Sequence, residues 1–346
     1  MPRTKRSWTS IAVAAVIAAG GGLWWTFGPG TVGEPETITI GSFNIYEFGK
    51  GTHAAKRDLR ALADLLIGID LVVLQEVGAT GGPAQVQALR DSMNAALPQG
   101  VKRYKTPLIT SITGNNERYA FIYRDPVRYI AADKNPSTSA GERWIRPDPN
   151  GDGVYNDDTI FNRVPAYMYF RAKNFDFVIA TVHLMWTHLD QREAEVEYLR
   201  DWLRTFDPRG PEEDIILLGD FNRCGKYTGT DVEDMAFSKF LSDGWENHYR
   251  ILFLEPLETW STKYAGKDEE STTVAQAKAL YDQILIDIDT EYEFGQAPAE
   301  YGKTIGVVPF DMTLPYEDMS HNSLKVAMSD HRPIWAKFRI DFEDDD

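Results

Sequence analysis

Short apolar runs alternate with amphipathic stretches along most of the chain. The runs Leu71–Leu74 and Ile215–Leu218 are apolar at four successive positions, which is typical of strands that are buried on both faces. Residues 190–206 carry an apolar stripe at helical spacing, with charged residues on the opposite side. This alternation of strands and helices predicts a layered fold of the α/β or α+β class.

The same two periodicities predict the other elements. Strands are predicted over 37–43, 71–76, 214–218, 281–287 and 334–340, with strand pairs around 118–129 and 166–183. Helices are predicted over 53–66, 84–97, 190–206 and 232–241. The chain contains no internal repeat, so we expect one domain over 36–342, followed by an acidic tail at 343–346.

The first thirty residues form a separate segment. Basic residues near the start precede an uncharged stretch from Ser7 to Gly33, and its apolar part, Trp8–Phe27, would span about 30 Å as a helix, enough to cross a bilayer core. This pattern is typical of an uncleaved membrane anchor whose basic flank stays in the cytoplasm. The small residues Ala18 and Gly20 also fit a signal peptide that is cleaved after export.

Both interpretations give the same domain boundaries. Residues 1–28 are an anchor or a signal peptide, and residues 29–35, rich in Gly and Pro, are a linker. Both predict a domain that works outside the cytoplasm, either tethered to the membrane through its N-terminal segment or secreted. We expect a monomer whose only partners are the membrane, through the N-terminal segment, and the substrate.

The composition limits the functions that this domain can have. The chain holds 36 Lys and Arg against 52 Asp and Glu, a formal net charge of −16, which argues against an extended basic surface for nucleic acid. It allows a small site in which metal ions bring the positive charge. Cys224 is the single cysteine, which excludes an intrachain disulfide and a Cys-rich metal site, and we interpret it as an isolated thiol.

Polar residues stand at or just after the ends of several predicted strands, where a layered fold brings side chains together. They are Asn44, Glu76, His183, Asp220, Asn222, Asp282, Asp330 and His331. Carboxylates with an Asn suit a hard cation such as magnesium, and two histidines near carboxylates suit acid–base catalysis. Together they would serve the hydrolysis of a phosphate ester. Taken singly, each residue also fits a turn or a buried core position.

Six short segments, in order along the chain, resemble a known family. They are 42–44 (SFN), 74–77 (LQEV), 181–184 (TVHL), 219–222 (GDFN), 281–284 (YDQI) and 329–333 (SDHRP). The chain is similar to the endonuclease/exonuclease/phosphatase superfamily over most of 37–340, and within it 116–119 (NERY) and 162–165 (NRVP) most resemble the pancreatic-type, DNase I-like deoxyribonucleases. The resemblance implies a four-layer α/β sandwich of two β-sheets packed face to face with helices outside.

The resemblance also implies a metal and phosphate site. Glu76 would be the main ligand of magnesium or manganese, with Asn44 beside it holding metal or phosphate. Asp220 and Asn222 would hold the phosphate and the metal, and Asp330 would complete the site.

Two histidines would carry the acid–base chemistry that the resemblance implies. His331, oriented by Asp282, would be the general base that activates the attacking water. His183, steadied by Glu117, would be the general acid that protonates the leaving oxygen. Which histidine is base and which is acid depends on the side of phosphorus from which the water arrives.

Further residues would contact the substrate. Arg163 would hold a non-bridging phosphate oxygen. Tyr227, five residues after Asn222, matches a phosphate-contacting tyrosine of the deoxyribonucleases, and an ordinary loop tyrosine is the alternative. Trp186 and the two residues after it follow His183 closely and could line the substrate groove.

Two positions depart from the deoxyribonuclease pattern. Those enzymes carry an Arg two residues after the metal-binding Glu and a Tyr two residues before the Glu that steadies the acid, and both side chains enter the minor groove of duplex DNA. Here these positions hold Gly78 and Asn115. We therefore expect weaker or less shape-selective cleavage of duplex DNA.

A structural calcium site is predicted just before Arg163. Oxygen side chains stand at loop positions one, three and five with Gly at six, as in an EF-hand loop. They are Asp148, Asn150 and Asp152, and Asp157 or Asp158 would close the shell because Thr159 stands where a bidentate Glu belongs. Calcium here would order Arg163, and a solvated turn is the alternative.

The sequence leaves three functions open. The first is an exported, metal-dependent phosphodiesterase that acts on nucleic acid, as an endonuclease that cuts DNA. The second is the same chemistry on a lipid or inositol-phosphate headgroup, which the two departures from the pattern keep open. The third, a non-catalytic calcium-binding module, is disfavoured by the full set of acid, base and metal-binding residues.

Overall fold

The computed structural model describes residues 36–130, 143–145, 160–205, 214–222, 249–252, 281–287, 290, 294, 304–312 and 315–341. The predicted N-terminal segment, calcium loop at 148–158, helix at 232–241 and acidic tail lie outside these residues, as do Cys224 and Tyr227. None of the described helices is long and apolar enough to cross a bilayer.

The described strands form two mixed sheets. The first contains β1 (Thr37–Phe48), β2 (Leu71–Gly78), β3 (Leu108–Ile109), β4 (Glu117–Tyr123), β12 (Ile305–Val307) and β13 (Ile334–Arg339). The second contains β5 (Val127–Ile130), β6 (Arg143–Trp144), β7 (Ala166–Ala172), β8 (Phe175–His183), β9 (Ile215–Asp220), β10 (Tyr249–Ile251) and β11 (Asp282–Asp287). Their spatial orders are β12–β13–β1–β2–β4–β3 and β10–β11–β9–β8–β7–β5, with β6 paired to β7. The pairs β1–β2 and β8–β9 are parallel, and the other pairs are antiparallel.

Helices cover the outer face of each sheet. The described α-helices are α1 (Leu59–Leu66), α2 (Gly82–Ala96), α3 (Leu189–Thr205) and α4 (His321–Ala327). Helices α1, α2 and α4 pack on the first sheet, and α3 packs on the second. A third core fills the space between the two sheets. The predicted four-layer α/β sandwich is confirmed.

The uninterrupted apolar runs are explained by burial on both sides of each sheet. In β2, Leu71 and Val73 face the other sheet, whereas Val72 and Leu74 face the helices. In β9, Leu217 packs towards α3 while its neighbours along the strand face the first sheet. Each fully buried side chain of this size stabilises the fold by about 1.5–3 kcal/mol.

The predicted helix over 53–66 is wrong as a single element. Gly51–Lys56 forms a 3-10 helix, Arg57 is extended with ψ of 131°, and α1 begins at Leu59. Asp58 is the N-cap of α1, and its carboxylate accepts a hydrogen bond from the backbone N–H of Ala61 at 3.0 Å. The break follows from tertiary contacts, because the buried Arg57 guanidinium donates to three backbone carbonyls outside this segment.

Other differences are smaller. Helix α2 begins two residues earlier than predicted, and α3 is displaced by one residue. Helix α4 and the short strands β3, β6, β10 and β12 were not predicted. These elements contain two to seven residues each, which is too few for a hydrophobic period to be recognised.

Candidate active site

The predicted site residues meet at one edge of the two sheets. In the parallel pairs β1–β2 and β8–β9 this edge holds the carboxyl ends of the strands, at or next to Glu76, His183 and Asp220. The antiparallel strands β4 and β11 begin at the same edge, with Glu117 and Asp282. Strand β13 also begins there, directly after the segment that carries the second histidine.

Asn44 joins the two sheets at this edge. Its side-chain amide donates one hydrogen bond to Glu76 Oε1 at 2.9 Å and another to Asp220 Oδ2 at 2.8 Å. Asn44 is fully buried, and the two carboxylates belong to different sheets. One amide therefore fixes the spacing between two carboxylates that were predicted to hold the metal.

Glu76 is held by a turn of unusual backbone geometry. The pairing of β1 with β2 is irregular between Asn44 and Phe48, and Glu76, Tyr46 and Glu47 all have positive φ (58°, 44° and 44°). Each such non-glycine residue costs about 1–3 kcal/mol, which the surrounding contacts must offset. The Glu47 N–H donates to Glu76 Oε2 at 2.9 Å, and the Arg57 guanidinium donates to the Tyr46 carbonyl. Asn44 and this turn together fix the positions of both carboxylate oxygens of Glu76.

His183 is bound to the carboxylate that was predicted to steady it. Its Nδ1 lies 2.9 Å from Glu117 Oε2, and its Nε2 lies 3.8 Å from Glu76 Oε1. With Nδ1–H donating to Glu117, Nε2 faces the centre of the site. Burial disfavours the imidazolium, but the hydrogen bond to Glu117 and the nearby carboxylates outweigh it and raise the pKa of His183.

Glu117 gathers cationic and polar groups around His183. Its Oε2 accepts a hydrogen bond from Arg163 Nε at 2.7 Å, and its Oε1 lies 3.3 Å from both Lys50 Nζ and Asn115 Nδ2. Burial alone would raise the pKa of Glu117, but the hydrogen bond to His183 and the charges of His183, Arg163 and Lys50 lower it to about 2. Arg163, predicted to hold phosphate, is buried and engaged with Glu117 through Nε.

His331 forms a second pair with Asp282. Its Nδ1 lies 2.8 Å from Asp282 Oδ2, and its backbone N–H donates to Ser329 Oγ at 3.1 Å. The Ser329 hydroxyl in turn donates to the Asn44 carbonyl at 2.7 Å, which anchors this loop to β1. Burial again opposes the charged form, but Asp282, Asp220 and Asp330 raise the pKa of His331 well above its ordinary value.

Both imidazoles face the same carboxylate oxygen. Nε2 of His183 and Nε2 of His331 each lie 3.6 Å from Asp220 Oδ2. Asp220 Oδ1 accepts a hydrogen bond from the Asn222 N–H at 2.7 Å, and the Asn222 amide donates to the Leu184 carbonyl at 2.9 Å. The geometry therefore brings two imidazoles close to one anchored carboxylate oxygen.

The carboxylates of the site fit a divalent cation. Asp220, Asp282 and His331 form a buried group of described residues whose ligand atoms lie within 4.8 Å of one another. Asp282 and His331 already bind each other, so this trio differs from the metal ligands that the resemblance implies. In the described part of the chain the buried Oδ1 of Asp330 has no hydrogen-bond partner, while its Oδ2 pairs with Lys325 Nζ at 3.0 Å. An unpaired buried carboxylate oxygen is costly, and a hard cation would satisfy it.

Comparison with known proteins identifies the family. The model of the Endonuclease/Exonuclease/phosphatase family matches residues 41–252, more than half of the chain. The chain belongs to this family. Deoxyribonuclease-1 of Rattus norvegicus is 25% identical over 306 residues, which cover 88% of this chain and 92% of the relative. Deoxyribonuclease-1 of Homo sapiens is 25% identical over 309 residues, covering 86% and 91%.

Solved structures show the same fold. An endonuclease/exonuclease/phosphatase family protein from Bacteroides thetaiotaomicron matches with a TM-score of 0.53 and 17% identity, over 89% of this chain and 97% of the other. The mannosyl-6-phosphatase of Bacteroides thetaiotaomicron VPI-5482 matches with a TM-score of 0.50 and 15% identity, over 87% and 99%. The resemblance inferred from six short segments is confirmed, and this endonuclease/exonuclease/phosphatase family protein is a phosphodiester hydrolase.

The two positions that depart from the deoxyribonuclease pattern are filled by local contacts. A Cβ at Gly78 would lie 2.7 Å from Lys50 Cγ, so Lys50 passes over the position where the pattern has an Arg. Asn115 is exposed and donates to Glu117 at 3.3 Å. In this family member, Lys50 and Asn115 therefore both face the carboxylate that holds His183.

Glu195 is a buried residue of the site that was not predicted from the sequence. This residue of α3 is 0% exposed, and its carboxylate accepts hydrogen bonds from the backbone N–H groups of Met185 at 2.6 Å and Asn162 at 2.9 Å. It thus connects the loop after His183 to the loop that carries Arg163. Burial raises the pKa of Glu195, although both backbone hydrogen bonds oppose that shift. The sequence does indicate that Glu195 is buried, because it stands one turn before Leu199 on the apolar stripe of the helix.

Proposed function

We propose that this protein is an exported, metal-dependent phosphodiesterase that hydrolyses DNA as an endonuclease. One observation carries the proposal: two histidines, each bound to its own carboxylate, present Nε2 at 3.6 Å from the same oxygen of Asp220. Hydrolysis of a phosphodiester needs one group to accept the proton of water and another to protonate the leaving oxygen. The similarity to deoxyribonucleases over most of the chain supports DNA as the substrate.

The proposed reaction uses the two histidines in sequence. His331 Nε2 accepts a proton from water, while Asp282 holds Nδ1–H and stabilises the imidazolium. The water oxygen bonds to phosphorus as the bond to the leaving oxygen breaks. His183 donates its Nε2 proton to that oxygen, with Glu117 holding Nδ1–H. The products are a phosphate monoester end and a free hydroxyl end.

Other groups stabilise the charge that develops on phosphorus. The Arg163 guanidinium and the Asn222 amide lie on the side of His183, bound to Glu117 and to the Leu184 carbonyl, and preorganised donors of this kind act strongly in a buried site. A divalent cation held by Glu76 and Asp330 would stabilise the non-bridging oxygens and disfavour the imidazolium form of the adjacent His331.

A headgroup phosphodiesterase or phosphatase is the second candidate. It is favoured by Gly78 and Asn115, which stand where groove-entering side chains would be, and by the net charge of −16. A structural neighbour is a mannosyl-6-phosphatase, so the fold also accommodates small esters.

The decisive experiment uses the full chain, purified in mild detergent and stripped of metal. It is incubated with supercoiled plasmid and with magnesium, manganese, calcium or chelator, beside a His183→Ala variant. Metal-dependent nicking that the variant lacks is the expected result. Turnover of lipid or inositol-phosphate esters by a folded enzyme that leaves plasmid intact would contradict the proposal in favour of the second candidate.

Export is part of the proposal and has its own test. The full chain is expressed in bacteria with a C-terminal reporter that is active only outside the cytoplasm, and the cells are then fractionated. We expect an active reporter, in the membrane fraction if residues 1–28 remain attached and in the soluble exported fraction if they are removed. An inactive reporter would contradict export.

A further inference from the structure

Two large apolar side chains are exposed within the described residues: Trp186 is 66% exposed and Ile112 is 50% exposed. A single exposed apolar residue is ordinary on a protein surface. Trp186 and Ile112 differ from ordinary exposed residues in two respects. Their backbone is held by specific contacts, and both lie on loops near the site.

Trp186 projects from a backbone that is fixed on both sides. The Arg192 guanidinium donates to the carbonyls of Met185 at 3.1 Å and Trp186 at 3.0 Å. The Met185 N–H donates to the buried Glu195 carboxylate at 2.6 Å. Since Trp186 comes three residues after His183, its Cα lies within about 10 Å of that of the predicted acid. A fixed backbone presents the indole ring to solvent next to the leaving-group side of the site.

Ile112 stands on a loop that is joined to the same structural unit. The Val164 N–H donates to the Thr113 carbonyl at 2.8 Å, and a Cβ at Gly114 would lie 2.2 Å from the Asn162 carbonyl oxygen. The Asn162 N–H is bound by Glu195, which also holds the Trp186 loop. Both exposed residues therefore belong to loops that converge on the segment carrying Arg163.

We propose that Trp186 stacks on the base of the nucleotide that leaves with the protonated oxygen, with Ile112 lining the same rim, and that unpaired strands are the preferred substrate. The inference rests on the proposed nuclease function. Stacking on an aromatic ring accepts any base and requires a base that is not already stacked in a duplex. With a net charge of −16, long-range attraction of the phosphate backbone is weak, so base stacking becomes a principal source of affinity.

The test uses dinucleotides, which contain one phosphodiester and so define the cleaved bond. The full-chain enzyme is given thymidylyl-thymidine and two analogues, each with an abasic sugar on one side. Product analysis shows which side leaves with the hydroxyl. We expect kcat/KM to fall about 5- to 150-fold when the leaving nucleotide is abasic, the range that loss of one stacked base gives, and to fall less when the other is abasic.

Variants of Trp186 test whether this side chain is the source of the preference for the complete dinucleotide. Trp186→Ala is expected to cleave the complete dinucleotide as poorly as the parent cleaves the abasic one, mainly through KM, and to treat both substrates alike. Trp186→Phe should restore most of the difference, and the melting temperature reports whether each variant is folded. The proposal is overturned if the parent ignores the missing base, or if Trp186→Ala still discriminates.

Two further outcomes separate this inference from the proposed function. A folded parent that cleaves no nucleic acid at all overturns both. Nucleotide discrimination that is unaffected by Trp186→Ala, together with loss of binding to vesicles of phosphatidylglycerol and phosphatidylcholine, would overturn the stacking proposal and assign Trp186 to a lipid surface.

Discussion

The two histidine pairs have similar geometry, and both imidazoles lie 3.6 Å from Asp220, but the other charged groups around them differ. His183 is bound to a carboxylate that also contacts Arg163 and Lys50, so its side of the site is rich in cationic groups. His331 is surrounded by Asp282, Asp220 and Asp330, so its side is anionic. The difference suggests a division of labour, in which the anionic side receives the cation and the attacking water and the cationic side receives the phosphate and the leaving oxygen.

The largest expected effect tests this division directly. His183→Ala and His331→Ala should each slow the cleavage of a natural DNA ester by about 10²–10⁴-fold, the usual contribution of a positioned acid or base. On a nitrophenyl ester of thymidine 5′-phosphate, whose leaving group needs no protonation, His183→Ala should recover most of its activity while His331→Ala should not. Steady-state rates on both substrates provide the measurement.

His321→Ala is the matched control, since His321 is an exposed histidine at the start of α4. It should match the parent on both substrates. Equal recovery of the two active-site variants on the activated ester would show that the two sides do not divide the roles of acid and base.

The second prediction concerns stability. Glu117→Gln should lower the free energy of unfolding by about 3–5 kcal/mol, because it leaves the buried Arg163 unpaired. Asp282→Asn should cost less, about 1–2 kcal/mol, because His331 can lose its proton whereas an arginine cannot. Urea unfolding at neutral pH measures both values, and a larger loss for Asp282→Asn would contradict the comparison.

The stability that Glu117 contributes should depend on pH, which provides a second test of this prediction. Its pKa is lowered from 4.5 to about 2, so its ionised form stabilises the folded state above about pH 4.5, and this contribution is lost as the pH falls towards 2. The stability difference between the parent and Glu117→Gln should therefore shrink over that interval. A difference that stays constant from pH 5 to pH 2.5 would show that charge is not its source.

The third prediction concerns positions 78 and 115, on the side of the site that holds His183. Gly78→Arg with Asn115→Tyr should raise the ratio of duplex to single-strand cleavage by about fivefold, which corresponds to about 1 kcal/mol of added binding. The new Arg must displace Lys50, because a Cβ at Gly78 would already lie 2.7 Å from Lys50 Cγ. Gel assays with matched duplex and single-stranded oligonucleotides give the ratio. Gly78→Ala, which moves Lys50 without adding a groove-entering group, is the control, and an unchanged ratio in the double variant would contradict the expectation.

The sequence predicted what depends on strand ends and on short motifs. Glu76 and Asp220 each stand two residues after an apolar run, and those runs are buried on both faces of their sheets. Contacts that depend on tertiary folding were not predicted. Lys50 reaches Glu117 across 67 positions, and Arg57 interrupts a helical pattern to bind distant carbonyls. Neither contact leaves a periodic trace in the sequence.

The smallest expected effect concerns the calcium loop predicted at 148–158. Calcium should raise the melting temperature of the full chain by about 1–2 °C, the shift expected from about 1 kcal/mol in a chain of this size. Asp148→Ala with Asp152→Ala should remove this rise. The control is Asp91→Ala with Asp201→Ala, which removes two exposed carboxylates from α2 and α3. Calorimetry with and without calcium gives the comparison, and an undiminished rise in the loop variant would contradict the prediction.

Loss of calcium from this loop should affect the two histidine pairs differently. It precedes Arg163, which binds the same carboxylate as His183, so loss of calcium should act on the cationic side. The loop variant should therefore lose more activity on the natural ester, which needs protonation of its leaving group, than on the activated ester. Equal losses would indicate that the loop affects the whole fold, because a defect confined to the side of His183 cannot slow both substrates alike.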